Sequence, residues 1–253
     1  MNRFSTSLGR YEGPVNGVLR SLEQNRFSER LWARDATLWK ADPEIQKKIK
    51  GRLGWLTVTK AMADQSGEVM EFARSVKEAG FTNVVLLGMG GSSLCPEVFR
   101  ATFGVAKGYP DLIVLDTTDP ATILNVEKRL DLSETLFIVA SKSGTTIEVE
   151  SLYRHFHEKL KAMKRDSIGE HFIAITDPGT ALEGLAKREE FRRLFINPPD
   201  IGGRYSALSW FGLVPAALIG MDIKLFLERA AEMVCATASS IPPADNPGIK
   251  LGA

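Results

Sequence analysis

The sequence predicts an α/β protein with a doubly wound, five-stranded parallel sheet, preceded by an all-helical leader. From residue 83 onward, five short apolar runs alternate with helical stretches, which is typical of a parallel sheet covered on both faces. The residues before this alternation show only helical spacing of apolar side chains, up to about Gly80. The predicted strands span residues 84–87, 112–115, 136–140, 172–176 and 191–196.

The chain divides into three predicted parts. They are a helical leader, an α/β domain, and a linker with the start of a further segment, at residues 1–80, 81–240 and 241–253. Within them, capping residues followed by proline or by an acid mark helix starts, at Asp42-Pro43, Asp119-Pro120 and Thr180-x-x-Glu183. After the fifth strand we expect helices over residues 205–219 and 223–236. Asn246-Pro247 gives another start signal close to Ala253, so we expect the natural chain to continue.

The composition favours a small-molecule partner. The chain has 253 residues, 44% of them hydrophobic, which is ample for a buried core. Lys and Arg total 32 against 31 Asp and Glu, so no net field would attract nucleic acid or an acidic membrane. The distant Cys95 and Cys235, and a start from Met1 to Phe4 without the apolar run of a signal peptide, favour the cytoplasm. No window approaches the ~20 apolar residues of a membrane span.

The segment after the third strand, residues 141–148, is the leading candidate for an anion site. It joins a buried strand to a helix through Ser-Lys-Ser-Gly-Thr-Thr-Ile-Glu. The first amides of a helix lack intrahelical partners and carry the positive end of the dipole, so a phosphate can accept their hydrogen bonds. The side chains expected to assist are those of Ser141, Lys142, Ser143, Thr145 and Thr146. The plain alternative is that the hydroxyls only cap the helix.

Two more loops follow strands at the same edge of the sheet, where ligands of doubly wound proteins bind. Residues 88–94, Gly-Met-Gly-Gly-Ser-Ser-Leu, let the backbone approach a ligand closely. These glycines, together with Asp116 at the end of the second strand, leave a nicotinamide site as an alternative. The dinucleotide fingerprint, however, needs a glycine where this sequence has Ser93. Residues 202–206, Gly-Gly-Arg-Tyr-Ser, place Arg204 at a helix start.

Taken in order, the three loops resemble motifs in the N-terminal half of the glucose-6-phosphate isomerases. The Gly-Gly-Arg-Tyr-Ser run is the most specific of them. The Ser-Lys-Ser-Gly-Thr-Thr run alone fits any sugar-phosphate-binding domain of the sugar isomerase (SIS) type. The helical leader is most similar to the isomerase part of bacterial transaldolase/glucose-6-phosphate isomerase fusions, so the resemblance implies a full-length protein that is oligomeric or fused.

The resemblance also implies a role for each candidate residue. The substrate phosphate would be held by Ser141, Lys142, Ser143, Thr145 and Thr146; Gly91 and Ser92 would line the sugar, Arg204 would act catalytically beside the reacting carbons, and Glu148 would support the site. The implied reaction interconverts glucose 6-phosphate and fructose 6-phosphate through an enediol, without metal or other cofactor.

The family's general base has no counterpart in these residues. It is a Glu in a Gln-x-x-x-Glu segment of a second SIS domain, and nothing after Ser206 resembles that segment. We therefore expect a truncated fragment that carries the phosphate site and is inactive alone. The alternative is a stand-alone SIS module that binds a sugar phosphate without catalysis. We expect His155, His157 and His171 to have surface or packing roles, with the first two on the outer side of their helix.

Overall fold

The computed structural model describes residues 7–163 and 167–253, so the predicted absence of a signal peptide at Met1 to Phe4 lies outside the described residues. The N-terminal region is helical, as predicted: α1 (Glu12–Gln24), α2 (Phe27–Trp32), α3 (Pro43–Lys50) and α4 (Val58–Glu78). Asp42 caps α3, because its carboxylate accepts hydrogen bonds from the amides of Glu44 and Ile45 at 2.8 and 3.1 Å. After α4, Gly80 has a φ of +83°, which turns the chain toward the sheet.

Five parallel strands form one sheet in the order β2-β1-β3-β4-β5. They are β1 (Asn83–Gly88), β2 (Asp111–Leu115), β3 (Thr135–Ala140), β4 (Phe172–Thr176) and β5 (Arg193–Ile196). All five predicted strands are present. The last begins two residues later than predicted, because the Phe191 amide still bonds to Ala186 at the end of the preceding helix and its ring stacks on Phe172.

Seven further helices follow β1 among the described residues. They are α5 (Leu94–Phe103), α6 (Pro120–Glu127), α7 (Ile147–Ala162), α8 (Ala181–Arg188), α9 (Trp210–Leu218), α10 (Ile223–Ala236) and α11 (Pro247–Gly252). The helix predicted from residue 205 begins only at Trp210. Ahead of it, Gly203–Leu208 form a 3-10 turn, because Tyr205 has non-helical backbone angles (φ −116°, ψ 18°). None of the helices formed by residues 7–163 and 167–253 has the length and apolar character needed to cross a membrane.

Both faces of the sheet are buried, as an all-parallel sheet requires. Successive side chains of a strand point to opposite faces. Along β1, Val84 and Leu86 therefore join a core with α4, α9 and α10, whereas Val85 and Leu87 join a second core with α7 and α8. The last helix of the predicted leader, α4, thus packs directly on the sheet.

The strand order reverses between β1 and β3, which makes this pair the topological switch point. The connection after β1 runs to β2 on one side, and the following connection returns to β3 on the other side of β1. Loops that leave β1 and β3 at their carboxyl ends therefore diverge and open a crevice between them. Both loops carry motifs predicted to bind the ligand.

The C-terminal segment folds back on the leader. Asn246 caps α11 as predicted, since its side-chain oxygen accepts a hydrogen bond from the Ile249 amide at 3.1 Å. In the predicted linker, the carbonyl of Ile241 accepts a hydrogen bond from the Ser28 hydroxyl at 3.2 Å. The indole of Trp32 also donates to the carbonyl of Thr237 at 2.8 Å.

The three histidines have packing roles. His155 and His157 lie on α7, where both side chains are partly exposed, so the predicted position on the outer side of the helix is met only in part. His155 Nε2 lies 3.4 Å from a carboxylate oxygen of Glu127, which links α7 to α6. His171 is buried ahead of β4, with Nδ1 2.9 Å from the carbonyl oxygen of Thr135.

The two cysteines should differ sharply in reactivity. Burial raises the pKa of the Cys95 thiol to about 12, whereas Cys235 is exposed on α10. Because the thiolate is the nucleophile, this raised pKa keeps Cys95 almost entirely in the unreactive thiol form at pH 8. We expect iodoacetamide to modify Cys235 rapidly and Cys95 slowly, measured by peptide mass spectrometry, and the Cys235→Ser variant to lose the fast phase. Equal labelling rates in the folded protein would contradict the partial burial of Cys95.

Candidate functional site

The carboxyl edge of the sheet carries a cleft of about 380 Å³ that all three predicted loops border. We call it the edge cleft; its lining residues are Met89, Gly91, Ser92, Lys142, Ser143, Thr146, Asp177, Ile201, Gly203, Ser206 and Phe211. Five candidate residues are therefore brought together, namely Gly91, Ser92, Lys142, Ser143 and Thr146. Within the described chain, no group of three or more His, Cys, Asp or Glu side chains is arranged to hold a metal ion.

The loop after β5 closes the edge cleft by crossing the sheet edge to the loop after β1. The two strands are not neighbours, since β3 and β4 lie between them. The loops nevertheless meet backbone to backbone: a Cβ added to Gly91 would lie 2.7 Å from backbone atoms of Gly203. The Ser206 hydroxyl also donates to the carbonyl of Gly91 at 3.0 Å. Glycine at position 91 therefore permits a contact that a larger residue would block.

The loop after β3 is held by its own hydroxyls. Ser141 is buried, and its Oγ lies 2.9 Å from Thr146 Oγ1 and accepts a hydrogen bond from the Gly144 amide at 3.1 Å. Thr145 is exposed and outside the edge cleft; its hydroxyl donates to Ser143 Oγ at 3.2 Å. Ser141 and Thr145 thus brace the two hydroxyls, of Ser143 and Thr146, that reach the edge cleft.

The alternative that these hydroxyls only cap α7 finds no support in the geometry. Thr146 occupies the N-cap position, but its side chain makes no cap hydrogen bond to the helix. The first-turn amides of α7 therefore remain available to another acceptor, at the positive end of the helix dipole. Glu148 is exposed in this first turn and is not among the residues that line the edge cleft.

Lys142, predicted to help hold the phosphate, does not present a free charge to the edge cleft. Its ammonium group forms an ion pair with the carboxylate of Asp177, whose side chain is only 14% exposed, and donates to the carbonyl of Pro199 at 2.9 Å. The other Asp177 oxygen accepts a hydrogen bond from Asn197 Nδ2 at 3.3 Å. The charge of Lys142 is therefore balanced within the edge cleft.

The sequence interpretation missed Asp177 and Asn197. Asp177 directly follows β4 and Asn197 directly follows β5, so both stand at the carboxyl edge where ligands bind. Asn197 is 1% exposed, and its Oδ1 has no hydrogen-bond partner among the described residues. Examining the first residue after every predicted strand, and not only the glycine- and serine-rich loops, would have identified both.

Arg204 lies in a second, larger cleft of about 770 Å³, which we call the leader cleft. It is lined by Trp39, Lys40, Ile45, Ile49, Arg52, Leu53, Trp55, Gly91, Lys142, Gly202, Gly203, Arg204 and Tyr205. The two clefts share Gly91, Lys142 and Gly203, so they adjoin at the contact between the loops after β1 and β5. Arg204 is exposed and is not among the residues that line the edge cleft.

A parallel sheet with these three loops at one edge is an SIS-type α/β domain, as the sequence predicts. Residues 57–251 match the model of the phosphoglucose isomerase family. The chain therefore belongs to the phosphoglucose isomerase family.

Relatives and solved structures agree with this assignment. The chain is 34% identical over 197 residues to the glucose-6-phosphate isomerase of Carboxydothermus hydrogenoformans, covering 74% of this chain and 42% of the relative. It is 33% identical over 227 residues to the glucose-6-phosphate isomerase of Trichormus variabilis, and the match covers 87% of this chain and 41% of that relative. The chain thus spans about two-fifths of the length of these relatives.

Two crystal structures share the fold over nearly the whole chain. A hypothetical protein from Thermus thermophilus has a TM-score of 0.75 at 28% identity, covering 96% of this chain and 55% of that one. A glucose-6-phosphate isomerase from Chlamydia trachomatis has a TM-score of 0.68 at 22% identity, and the match covers 94% of this chain and 48% of that one.

The loop after β1 departs from the nicotinamide site that the sequence left as an alternative. That alternative depended on Asp116 as a ribose-binding acid. In the fold, Asp116 accepts a long hydrogen bond of 3.4 Å from the hydroxyl of Ser93, which stands where the dinucleotide fingerprint needs a glycine.

The contact between the loops predicts unequal effects of two glycine substitutions. Gly91→Ala forces backbone atoms apart, so we expect the free energy of unfolding to fall by about 1–3 kcal/mol. Gly203→Ala is the matched control, because its Cβ would lie 3.5 Å from the Cα of Gly91, an ordinary contact. We expect it to change stability by no more than about 0.5 kcal/mol. Urea unfolding followed by fluorescence measures both, and equal effects would contradict the described contact.

Proposed function

We propose that the edge cleft binds the phosphate of a hexose 6-phosphate, and that these residues form the phosphate-binding half of a glucose-6-phosphate isomerase site. One observation carries the proposal: the N-terminus of α7 has no side-chain cap, and beside it the hydroxyls of Ser143 and Thr146 border a cleft made by three loops. A helix start of this kind is a ready site for an anion. Membership of the phosphoglucose isomerase family supports the choice of a sugar phosphate.

The phosphate would be held mainly by uncharged donors. Ser143 and Thr146 would donate hydroxyl hydrogen bonds together with the first amides of α7. Ser141 would orient Thr146 through their 2.9 Å contact, and Thr145 would orient Ser143. Lys142, paired with Asp177, would contribute its backbone amide and a balanced charge. Such hydrogen bonds to a charged acceptor are worth about 1.5–3 kcal/mol each.

The sugar would extend from the edge cleft toward the leader cleft. Gly91 and Ser92 border the edge cleft, and Gly91 borders both. Arg204 lies just beyond this junction, and its guanidinium forms no ion pair among the described residues. A cation there would stabilise the negative charge that develops on the enediolate oxygens during aldose–ketose isomerisation. Glu148 lies outside the edge cleft, and its supporting role stays a prediction.

Catalysis also needs a base that moves a proton between C1 and C2. The carboxylate that lines the edge cleft is Asp177, and its two oxygens are engaged by Lys142 and Asn197. We therefore propose that the 253 residues alone bind substrate but scarcely turn it over. The relatives are more than twice as long, which leaves room for a base in the part that this chain does not span. The alternative, a sugar-phosphate-binding module without catalysis, gives Arg204 no enediolate to stabilise.

Removing the hydroxyls of the β3–α7 loop should weaken ligand binding. In the variant with Ser141, Ser143 and Thr146 all replaced by Ala, we expect affinity for fructose 6-phosphate to fall at least about tenfold, since even one lost charged hydrogen bond has that effect. Isothermal titration calorimetry measures it. Ser151→Ala is the matched control, because that hydroxyl lies on the same helix and donates to the carbonyl of Ile147. Unchanged affinity in the triple variant would exclude the loop as the phosphate site.

The chain alone should show very little isomerase activity. A positioned base contributes about 10²–10⁴-fold to a rate, and the proposal places it outside these residues. A coupled assay that oxidises the glucose 6-phosphate formed from fructose 6-phosphate measures turnover, with Arg204→Ala as the control. Rapid turnover by the 253-residue chain that Arg204→Ala abolishes would show that a base lies within it, against the proposal.

A further inference from the structure

The turn that carries Arg204 is attached to the helical leader. Leu53 forms an isolated antiparallel bridge with Ile201. The next amide, that of Gly54, donates to the carbonyl of Asp200 at 2.8 Å. Two successive leader residues therefore bond to the backbone just before the Gly-Gly-Arg turn. Because Arg204 follows Ile201 by only three residues, the position of its backbone depends on this attachment.

Asp200 also binds the leader through its side chain. Its carboxylate pairs with the guanidinium of Arg34 at 3.0 Å, and the other terminal nitrogen of Arg34 donates to the Thr57 hydroxyl at 2.9 Å. The carboxylate lies against Gly54, where an added Cβ would come within 2.1 Å of Asp200 Oδ1. Asp200 thus sits between Arg34 and a glycine that leaves just enough space for it.

An aromatic contact holds the other side of the turn. The rings of Trp55 and Tyr205 stack at a centroid distance of 5.7 Å with an interplanar angle of 24°. Tyr205 directly follows Arg204 and is 56% exposed, and both stacked rings line the leader cleft. Arg204 therefore lies between two anchored residues, Asp200 before it and Tyr205 after it.

We infer that Arg34, Gly54 and Trp55 are positioning residues that hold Arg204 toward the sugar part of the ligand. The inference rests on the proposed function, in which the β3–α7 loop binds the phosphate. The contacts divide recognition between two regions, one for phosphate and one for sugar, that touch through the bond from Lys142 to Pro199. All three positioning residues precede residue 57, where the match to the family model begins.

The division predicts that variants of the contacts between the leader and the loop after β5 impair binding of the sugar more than binding of phosphate. We expect Trp55→Leu and Asp200→Asn each to weaken fructose 6-phosphate binding about three- to tenfold, because each removes one anchoring contact. The affinity for inorganic phosphate, measured in the same calorimeter, should change by less than about twofold. Trp55→Phe keeps a stacking ring, and Asp64→Asn removes a carboxylate from the exposed surface of α4; both should stay near wild type.

The outcomes distinguish failure of the positioning role from failure of the proposed function. Equal weakening of both ligands, or no change in either, would overturn the positioning role. If the unaltered chain bound neither ligand, the proposed function would fail, and amide hydrogen exchange would then test the attachment by itself. We expect Trp55→Leu to accelerate exchange at residues 200–206 and to leave residues 141–146 unchanged, since loss of contacts lowers local stability. Unchanged exchange at residues 200–206 would refute the attachment.

Discussion

The close approach of Gly91 and Gly203 is the contact on which the rest of the site depends. It joins loops from β1 and β5, two strands that the sheet keeps apart, and so turns three separate loops into the walls of one cleft. Only backbones without a side chain at position 91 can meet so closely. The same contact lies where the edge cleft adjoins the leader cleft, which contains Arg204.

Charge is distributed unevenly around the two clefts. In the edge cleft, the ammonium of Lys142 is balanced by Asp177, so a phosphate there would depend on hydroxyls, amides and the dipole of α7. The leader cleft is lined by four cations, Lys40, Arg52, Lys142 and Arg204, and by no carboxylate; of the four, only Lys142 is paired with Asp177. Under the proposed function, uncharged donors would hold the phosphate, while Lys40, Arg52 and Arg204 would face the part of the sugar where negative charge develops.

The sequence predicted the fold more completely than the site, for physical reasons. Strand and helix signals are local, so all five strands and the caps at Asp42 and Asn246 were predicted correctly. Pairings between distant residues leave no local signal. The bond between Lys142 and Asp177 spans 35 positions, and the stacking of Trp55 on Tyr205 spans two regions that were interpreted separately. For the same reason, sequence spacing could not show that Arg204 lies in the leader cleft.

A crystal structure of the 253-residue chain with fructose 6-phosphate would test the central claim most directly. We predict a phosphate within hydrogen-bonding distance of Ser143 Oγ, Thr146 Oγ1 and the first amides of α7, with the sugar directed past Gly91 toward Arg204. A phosphate bound instead among Lys40, Arg52 and Arg204, with the N-terminus of α7 unoccupied, would contradict the account.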